Sequence, residues 1–284
     1  MDRPSRIHGI FGSSHLSPTR LPIRWPAEAI WEQVYPLLPD FTVEVLPQVD
    51  STNTELMRRA RAGQTEPILL VAERQTAGRG RLGRDWQSDT QTGVATLTFS
   101  LGLPLQPADW SGLSLAVGLA VVESLHPSLQ LKWPNDVWLQ ERKLAGILIE
   151  TTSIGDVRYA VIGIGINILP RDADGLRTAP AALIEVLPDM DAPAALGAVV
   201  LPLVKAVLAF EAEGFGPLRT AFHGRDLLYR REVVCTDGTV GTARGVDAGG
   251  ALLVHTASGL QKISSAEVSV RPQTPADPTT GTSA

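Results

Sequence analysis

The segment 77–86 has the residue types needed to bind an anion. Its sequence, AGRGRLGRDW, holds three arginines and three glycines within ten residues. Guanidinium groups bind phosphate or carboxylate oxygens in pairs, and glycines let the backbone adopt conformations that bring it close to a ligand. The chain as a whole is acidic, with a formal net charge of −5. The segment is therefore either a solvated surface loop or a loop that closes over an anion.

The spacing in this segment differs from the common phosphate-binding loops. No Gly-Lys-Ser/Thr follows as in a Walker A loop, and the glycines are not spaced as in a dinucleotide-binding fingerprint. Alternating Gly and Arg also occurs in flexible RNA-binding segments. A single occurrence between predicted core strands, in an acidic chain, disfavours that interpretation.

The stretch DSTNTELMRRARAG begins with residues typical of a helix start. Thr52 followed by Glu55 fits a capping box, and Asp50 or Ser51 could also cap the helix. The hydroxyls of Ser51 and Thr52 and the amide of Asn53 could also contact a polar ligand, because a helix N-terminus presents free N–H groups and partial positive charge. Local sequence leaves both interpretations open.

A third block, LKWPNDVWLQERKLAGILIE, combines a turn with two charged residues. Pro134 excludes helical geometry at the preceding residue, so WPND predicts a turn between two strands. Asp136 could simply stabilise that turn, and Lys143 could be an ordinary surface charge. Alternatively, Lys143 lies at the mouth of a sheet as a second anion ligand, with Gly146 leaving room above the strand.

The stretch VIGIGINI predicts a strand with glycines at 163 and 165. Such glycines allow close packing against the strand, and they could equally accept a flat ligand anchored at one end by Asn167.

Other classes of chemistry find little support. The five histidines are scattered without metal-ligand spacing, no nucleophile elbow is present, and Cys235 is the single cysteine. The N-terminus lacks the apolar stretch of a signal peptide. The longest apolar runs, near 113–122 and 192–204, are shorter than a bilayer span of about 18–20 residues. These features favour a cytoplasmic protein.

Strand and helix patterns interleave irregularly along the chain, which predicts an α+β fold with a mixed β-sheet and packed helices. Strands are expected within 41–46, 67–73, 94–101, 129–133, 145–151 and 158–168, and helices over 27–38, 52–62, 113–125 and 194–213. After about residue 225, short strands alternate with DG, AGG and SG turns, which is typical of a small β-barrel. We therefore predict a partly disordered extension (1–40), a catalytic domain (41–225), a small β-barrel domain (226–272) and a disordered tail (273–284).

Taken together, four motifs resemble those of the biotin protein ligases: DSTN, AERQTAGRGRLGRDW, LKWPNDVWLQERKLAGILIE and GIGIN. They occur in the family's order and spacing, and the resemblance extends over about residues 41–272. It implies a catalytic domain like that of class II aminoacyl-tRNA synthetases and an SH3-like C-terminal barrel. It also implies that biotin and ATP form biotinyl-5′-AMP, from which biotin passes to one lysine of a carboxyl carrier domain.

The resemblance assigns roles by motif position. The biotin-binding residues it implies are Ser51, Thr52, Asn53, Gln75, Arg79, Gly80, Arg81 and Lys143, and the nucleotide-binding residues are Arg79, Arg81, Arg84, Lys143 and Asn167. It makes Arg79, Arg81, Lys143 and Asp136 the catalytic group, with Asp136 near the incoming lysine. Mg²⁺ is expected to accompany ATP, with ligands that the motifs do not identify.

Two features depart from the family pattern. Some members carry an N-terminal winged helix-turn-helix, for which the 40 residues ahead of the predicted core are too few. We therefore expect no operator binding. We also expect a monomer or a homodimer. The chain reads GINILP where the family often has GINVN, so the following loop is expected to order differently around adenine. Lipoate–protein ligase and a biotin-sensing module without catalysis are the competing interpretations, disfavoured by the arginine-rich loop and Lys143.

Overall fold

The computed structural model describes residues 23–87, 94–171, 179–264 and 270–272. Its helices are α1 (Ala27–Val34), α2 (Thr52–Arg61), α3 (Leu113–Leu125), α4 (Ala192–Glu213) and α5 (Arg219–His223). The strands of the N-terminal part are β1 (Thr42–Leu46), β2 (Ile68–Ala72), β3 (Thr96–Pro104), β4 (Gln130–Lys132), β5 (Asp136–Leu139), β6 (Arg142–Ile154) and β7 (Val157–Asn167). Those of the C-terminal part are β8 (Glu232–Cys235), β9 (Val240–Val246), β10 (Leu252–Thr256), β11 (Gly259–Ile263) and β12 (Val270–Pro272).

The first seven strands form one sheet in the order β1-β2-β3-β7-β6-β5-β4. Only β1 and β2 run parallel, and each other neighbouring pair is antiparallel. The predicted mixed sheet is confirmed. Its central strands β3 and β7 are buried almost throughout, because helices cover both faces of the sheet.

Helix α2 covers one face of the sheet, packing its apolar residues against Leu70, Tyr159 and Val161. Helices α1, α3 and α4 cover the other face, where the main core lies. The N-terminal end of α2 therefore lies over the middle of the sheet, directly above β3, β6 and β7.

Helix α4 is longer than the apolar run from which it was predicted. Its 22 residues are long and apolar enough to span a bilayer by length and composition. One side of α4 is fully buried against α3 and the core, with Val199, Leu203 and Val207 inaccessible to solvent. In this fold α4 is therefore a core helix.

The C-terminal strands form an antiparallel sheet in the order β11-β10-β9-β8-β12, in agreement with the predicted small β-domain. The linker ahead of it pairs with the edge of the first sheet. Leu131 of β4 donates its N–H to the carbonyl of Arg225 and accepts from the N–H of Leu227. Asp226 lies between these two bonds, so the predicted domain boundary coincides with an added segment of the catalytic sheet.

Several local expectations need correction. Helix α1 ends at Val34 rather than continuing to residue 38. Lys143 belongs to β6 instead of preceding it, since the β5–β6 hairpin turns tightly at Gln140 and Glu141, both with positive φ. Helix α5 was not predicted. The WPND turn is confirmed, and its Trp133–Pro134 peptide bond is cis. The disorder expected in the N-terminal extension and the tail concerns mainly 1–22 and 273–284, which lie outside the described residues.

Candidate functional site

The N-terminus of α2 forms one end of a cleft above the sheet. Ser51 is the N-cap, and its hydroxyl accepts a weak hydrogen bond from the N–H of Thr54 at 3.5 Å. The alternative in which Thr52 caps the helix is wrong, because Thr52 is the first helical residue. Its N–H and its Oγ1 both point to Oε1 of Gln75, at 2.7 and 3.1 Å. The cap and Gln75 thus form one bonded polar wall.

Asn53 continues this wall across the strands of the sheet. Its Oδ1 lies 2.7 Å from the hydroxyl of Ser100, which is equally close to Oγ1 of Thr52. Its Nδ2 donates to the carbonyl of Leu148 at 3.1 Å and to Oε2 of Glu150 at 3.0 Å. Asn53 is 3% exposed, so these bonds fix its orientation.

Glu150 joins this wall to the arginine-rich segment. Its two carboxylate oxygens accept hydrogen bonds from the two terminal nitrogens of Arg79, at 2.9 and 3.3 Å. Arg79 also approaches Oγ1 of Thr54 at 3.4 Å. The first arginine of the segment is therefore anchored on the α2 side of the cleft. Sequence reasoning did not identify Glu150, because on an alternating strand it resembles any exposed carboxylate.

The arginine-rich segment forms a short hairpin over the cleft. Gly80 donates its N–H to the carbonyl of Arg84 at 2.7 Å, and Trp86 donates to the carbonyl of Gly78 at 2.9 Å. Leu82 adopts a left-handed conformation at φ 57° in the turn between them. A side chain at Gly78 would collide with the carbonyl oxygen of Trp86, at 2.2 Å from the Cβ position. The hairpin therefore requires glycine there.

The glycines of β7 make room for two side chains of this site. A Cβ on Gly163 would lie 2.0 Å from Oδ1 of Asn53, and one on Gly165 would lie 2.3 Å from the indole of Trp86. Here the glycines serve close packing, and the flat group on the strand is the protein's own indole. The indole Nε1 is buried without a hydrogen-bond partner among the described residues.

Lys143 and Asp136 meet at the far end of the cleft. Their Nζ and Oδ1 atoms are 2.7 Å apart, and the two side chains are 40% and 19% exposed. The Cβ position of Gly146 lies 3.3 Å from the same Nζ, so this glycine does leave room for the lysine. Asp136 therefore makes an ion pair, rather than only stabilising a turn.

Arg81 points away from Arg79, toward Asn135. Its Nη1 donates to Oδ1 of Asn135 at 3.3 Å, and Asn135 in turn donates to the carbonyl of Ile147 at 2.7 Å. Burial lowers the pKa of Arg81, an effect that Asp136 opposes. The two arginines predicted to act together thus lie at different parts of the cleft.

Lys132 adds a cation that the sequence did not single out. Its Nζ lies 4.9 Å from the centre of the Trp138 ring. Burial lowers its pKa, Asp136 raises it, and the nearby Lys143, Arg84 and Arg271 lower it further. Lys132, Lys143 and Arg81 therefore share the single carboxylate of Asp136, and Arg84 and Arg271 add positive charge near Lys132, an arrangement suited to a strongly anionic ligand.

Asn167 has a buried atom without a partner. The residue is 1% exposed, and its Nδ2 approaches the carbonyl of Lys143 at 3.4 Å. Its Oδ1 accepts no hydrogen bond within the described part of the chain. A buried acceptor left unpaired is costly, so this atom is available to a ligand donor.

These residues line two adjoining cavities. All eight of the predicted biotin-binding residues line the first, a space of about 460 Å³ including solvent at its mouth. The second is larger, about 1650 Å³ on the same measure, and is lined by Arg81, Arg84, Asp136, Lys143 and Asn167 but not by Arg79. Arg81, Lys143, Asn135, Gly80 and Trp86 border both cavities. Among the described residues, no cluster of three or more His, Cys, Asp or Glu could hold a metal ion.

Comparisons with known proteins agree over most of the chain. Residues 45–167 match the model of the biotin/lipoate A/B protein ligase family, and residues 233–271 match the biotin protein ligase C-terminal domain. The bifunctional ligase/repressor BirA of Salmonella typhimurium is 34% identical over 253 residues, covering 84% of this chain and 78% of that protein.

Two further comparisons extend this similarity. The biotin–[acetyl-CoA-carboxylase] ligase of Paracoccus denitrificans is 32% identical over 245 residues, covering 79% of this chain and 98% of that protein. Among solved structures, biotin protein ligase from Aquifex aeolicus in complex with biotin and ATP superposes with a TM-score of 0.69. It is 30% identical, and the match covers 81% of this chain and 99% of that one.

Proposed function

The chain belongs to the biotin protein ligase family, and on that premise we propose that it joins biotin to ATP as biotinyl-5′-AMP and then transfers biotin to a lysine of a carboxyl carrier domain. The observation that carries this proposal is the pair of adjoining cavities with Arg81 and Lys143 on their shared border. A reaction between a carboxylate and an α-phosphate needs two substrates end to end, with cations where they meet.

The first cavity is proposed to hold biotin. Ser51, Thr52, Asn53 and Gln75 form a hydrogen-bonded wall around its buried end, which suits a ring system with ureido donors and an acceptor. The fixed orientation of buried amides gives specificity, because a ligand lacking the matching groups would leave them unpaired.

The border between the cavities is proposed as the reacting centre. The biotin carboxylate attacks the α-phosphorus, the bond to the pyrophosphate oxygen breaks, and pyrophosphate leaves with the electron pair. Negative charge rises on the phosphate oxygens, which Lys143 and Arg81 stabilise from fixed positions. In the second step the carrier lysine attacks the acyl carbon and AMP leaves. Asp136, which pairs with Lys143, is proposed to orient that amine or accept its proton.

The second cavity is proposed to hold the nucleotide. The unpaired Oδ1 of Asn167 is suited to accept from the amino group of adenine, and Arg84 and Lys132 supply charge for the phosphates. We further propose that Mg²⁺ enters with ATP, held mainly by phosphate oxygens, as is usual for this ion. Arg79 is assigned to the biotin side, since it does not line this cavity.

We also propose that the protein acts in the cytoplasm, as a monomer or homodimer, without operator DNA. The net charge of −5 disfavours binding to a polyanion through bulk electrostatics.

Exchange of labelled pyrophosphate into ATP tests the proposed first step. The exchange should depend on biotin, and octanoate and lipoate should not replace it. The matched family also includes lipoate ligases, so exchange with lipoate alone would refute the biotin assignment.

Lys143→Ala tests the proposed reacting centre. Removing one charged donor from such a site costs about 100- to 1000-fold in rate, so exchange should slow by that factor while biotin binding changes little. A variant that lost biotin binding and kept its rate of exchange would contradict the role given to Lys143.

A further inference from the structure

We propose that Glu150 is a positioning residue for biotin binding, because it joins the arginine-rich hairpin to Asn53 in the polar wall of the biotin cavity. This inference rests on the proposed function and adds a residue to it. The Glu150 carboxylate accepts hydrogen bonds from both terminal nitrogens of Arg79 and from Nδ2 of Asn53. One carboxylate therefore joins a covering element to a ligand-facing amide.

The geometry favours a latch over a chance surface pair. Both oxygens are used, in the parallel two-bond arrangement that makes Arg–carboxylate pairs directional. The Glu150 side chain is only 22% exposed, whereas Arg79 is 50% exposed. The anchor is thus fixed on the sheet, and the arginine reaches it from the solvent side.

The bonds continue from the latch into the cavity. From Glu150 they pass to Asn53, then to the Ser100 hydroxyl, and from there to Thr52. Thr52 donates to Gln75, which lies three residues before Gly78 at the base of the hairpin. The chain of contacts therefore begins at Arg79 and returns to Gln75, four residues earlier on the N-terminal side of the hairpin.

This arrangement assigns separate tasks to the two arginines. Arg79 holds the hairpin closed through Glu150, while Arg81 lies beside Asn135 and the Asp136 charge at the reacting centre. With the latch formed, the hairpin covers the biotin end and slows biotin dissociation. Without it, biotin should leave faster, and the chemistry at Lys143 should continue once both substrates are bound.

Biotin dissociation from the full-length protein tests the proposal, measured by chasing labelled biotin with excess unlabelled biotin. Glu150→Gln keeps an acceptor for Asn53 but removes the ion pair, so dissociation should accelerate about 3-fold, the scale of a partly exposed pair. Glu150→Ala also leaves Asn53 short of a partner, and we expect about 10-fold. The KM for biotin should rise in parallel, with the KM for ATP and kcat of exchange nearly unchanged.

Two further variants separate positioning from general destabilisation. Glu44→Gln removes another carboxylate paired with an arginine, Arg59, away from the cleft, and should leave biotin dissociation unchanged. Combining Arg79→Gln with Glu150→Gln should accelerate dissociation no more than Arg79→Gln alone, because both remove the same interaction.

Other outcomes would overturn the proposal. Dissociation at the wild-type rate in both Glu150 variants would show that the latch does not retain biotin. Slower dissociation would show that Glu150 competes with the biotin carboxylate for Arg79. Failure of the wild-type protein to bind biotin would instead refute the proposed function, so the two failures are distinguishable.

Discussion

Burial of Asp226 should make the stability of the protein fall as pH rises through mildly acidic values. The residue is 8% exposed at the junction of the two domains. Its Oδ1 accepts from the N–H of Leu228 at 2.9 Å, whereas its buried Oδ2 has no partner among the described residues. Desolvation raises the pKa of this carboxyl group from 3.8 to about 6.

The sign and size follow from proton linkage. Between these two pKa values the folded state holds a proton that the unfolded state has lost, so folding is favoured at low pH and this contribution disappears as pH rises. The pKa of Asp226 is higher by about 2 in the folded state than in the unfolded state. At about 1.4 kcal/mol for each tenfold change in proton affinity, this difference corresponds to about 3 kcal/mol. The contribution should be complete below pH 4 and lost above about pH 6.

Urea unfolding of the wild type and Asp226→Asn at several pH values between 4 and 7.5 measures this contribution. The asparagine variant lacks the ionisable group, so its free energy of unfolding should gain about 2 kcal/mol relative to the wild type between pH 4 and 7, the remainder of the contribution being lost below pH 4. Using the pH dependence of the difference removes any constant cost of burying the amide. Asp189→Asn, at an exposed position, is the matched control. A flat difference curve for Asp226→Asn would refute the reasoning.

Three further predictions concern the cleft. Lys132→Gln should raise the KM for ATP about 10-fold and leave the KM for biotin unchanged in pyrophosphate exchange, because it removes one of the cations in the larger cavity; an equal change in both constants would contradict this. Gly165→Ala should cost about 1–3 kcal/mol of stability and alter tryptophan emission, since its Cβ would lie 2.3 Å from the Trp86 indole; Gly216→Ala, with space at its Cβ, is the control. We further predict that the arginine-rich segment 77–86 moves when no ligand is bound, so biotin with ATP should slow tryptic cleavage after its arginines; equal cleavage rates would argue against this.

The local patterns of the sequence were sufficient for most of the helices and strands and for many residues of the cleft. The α3 prediction matches Leu113–Leu125, because an apolar run of that length bounded by Gly112 and Pro127 has few alternatives. The motif positions also identified eight biotin-binding residues, all of which line the first cavity. Their side-chain chemistry and order along the chain are local properties, which the sequence records directly.

The partners of these residues were decided by the tertiary structure alone. Arg79 and Arg81 are two positions apart and identical in type, yet one bonds Glu150 and the other approaches Asn135. Arg79 lies in the arm of the hairpin, bridged to Asp85, whereas Arg81 begins the turn Arg81–Gly83. No spacing rule relates residue 79 to residue 150, because their proximity depends on how β6 lies under the hairpin.

The same limit applies to Lys132 and Trp86. In the sequence, Lys132 is a single lysine next to a turn. In the fold it is buried, and because β12 pairs with β8, it lies among other cations that include Arg271 of β12. The sequence predicted space above the glycines of β7, but the packing of α2 and the hairpin decided that Asn53 and Trp86 occupy it. Sequence alone thus determined which chemical groups the protein carries and on which elements. Only the folded chain, through contacts between distant segments, decided which groups face one another and which remain free for a ligand.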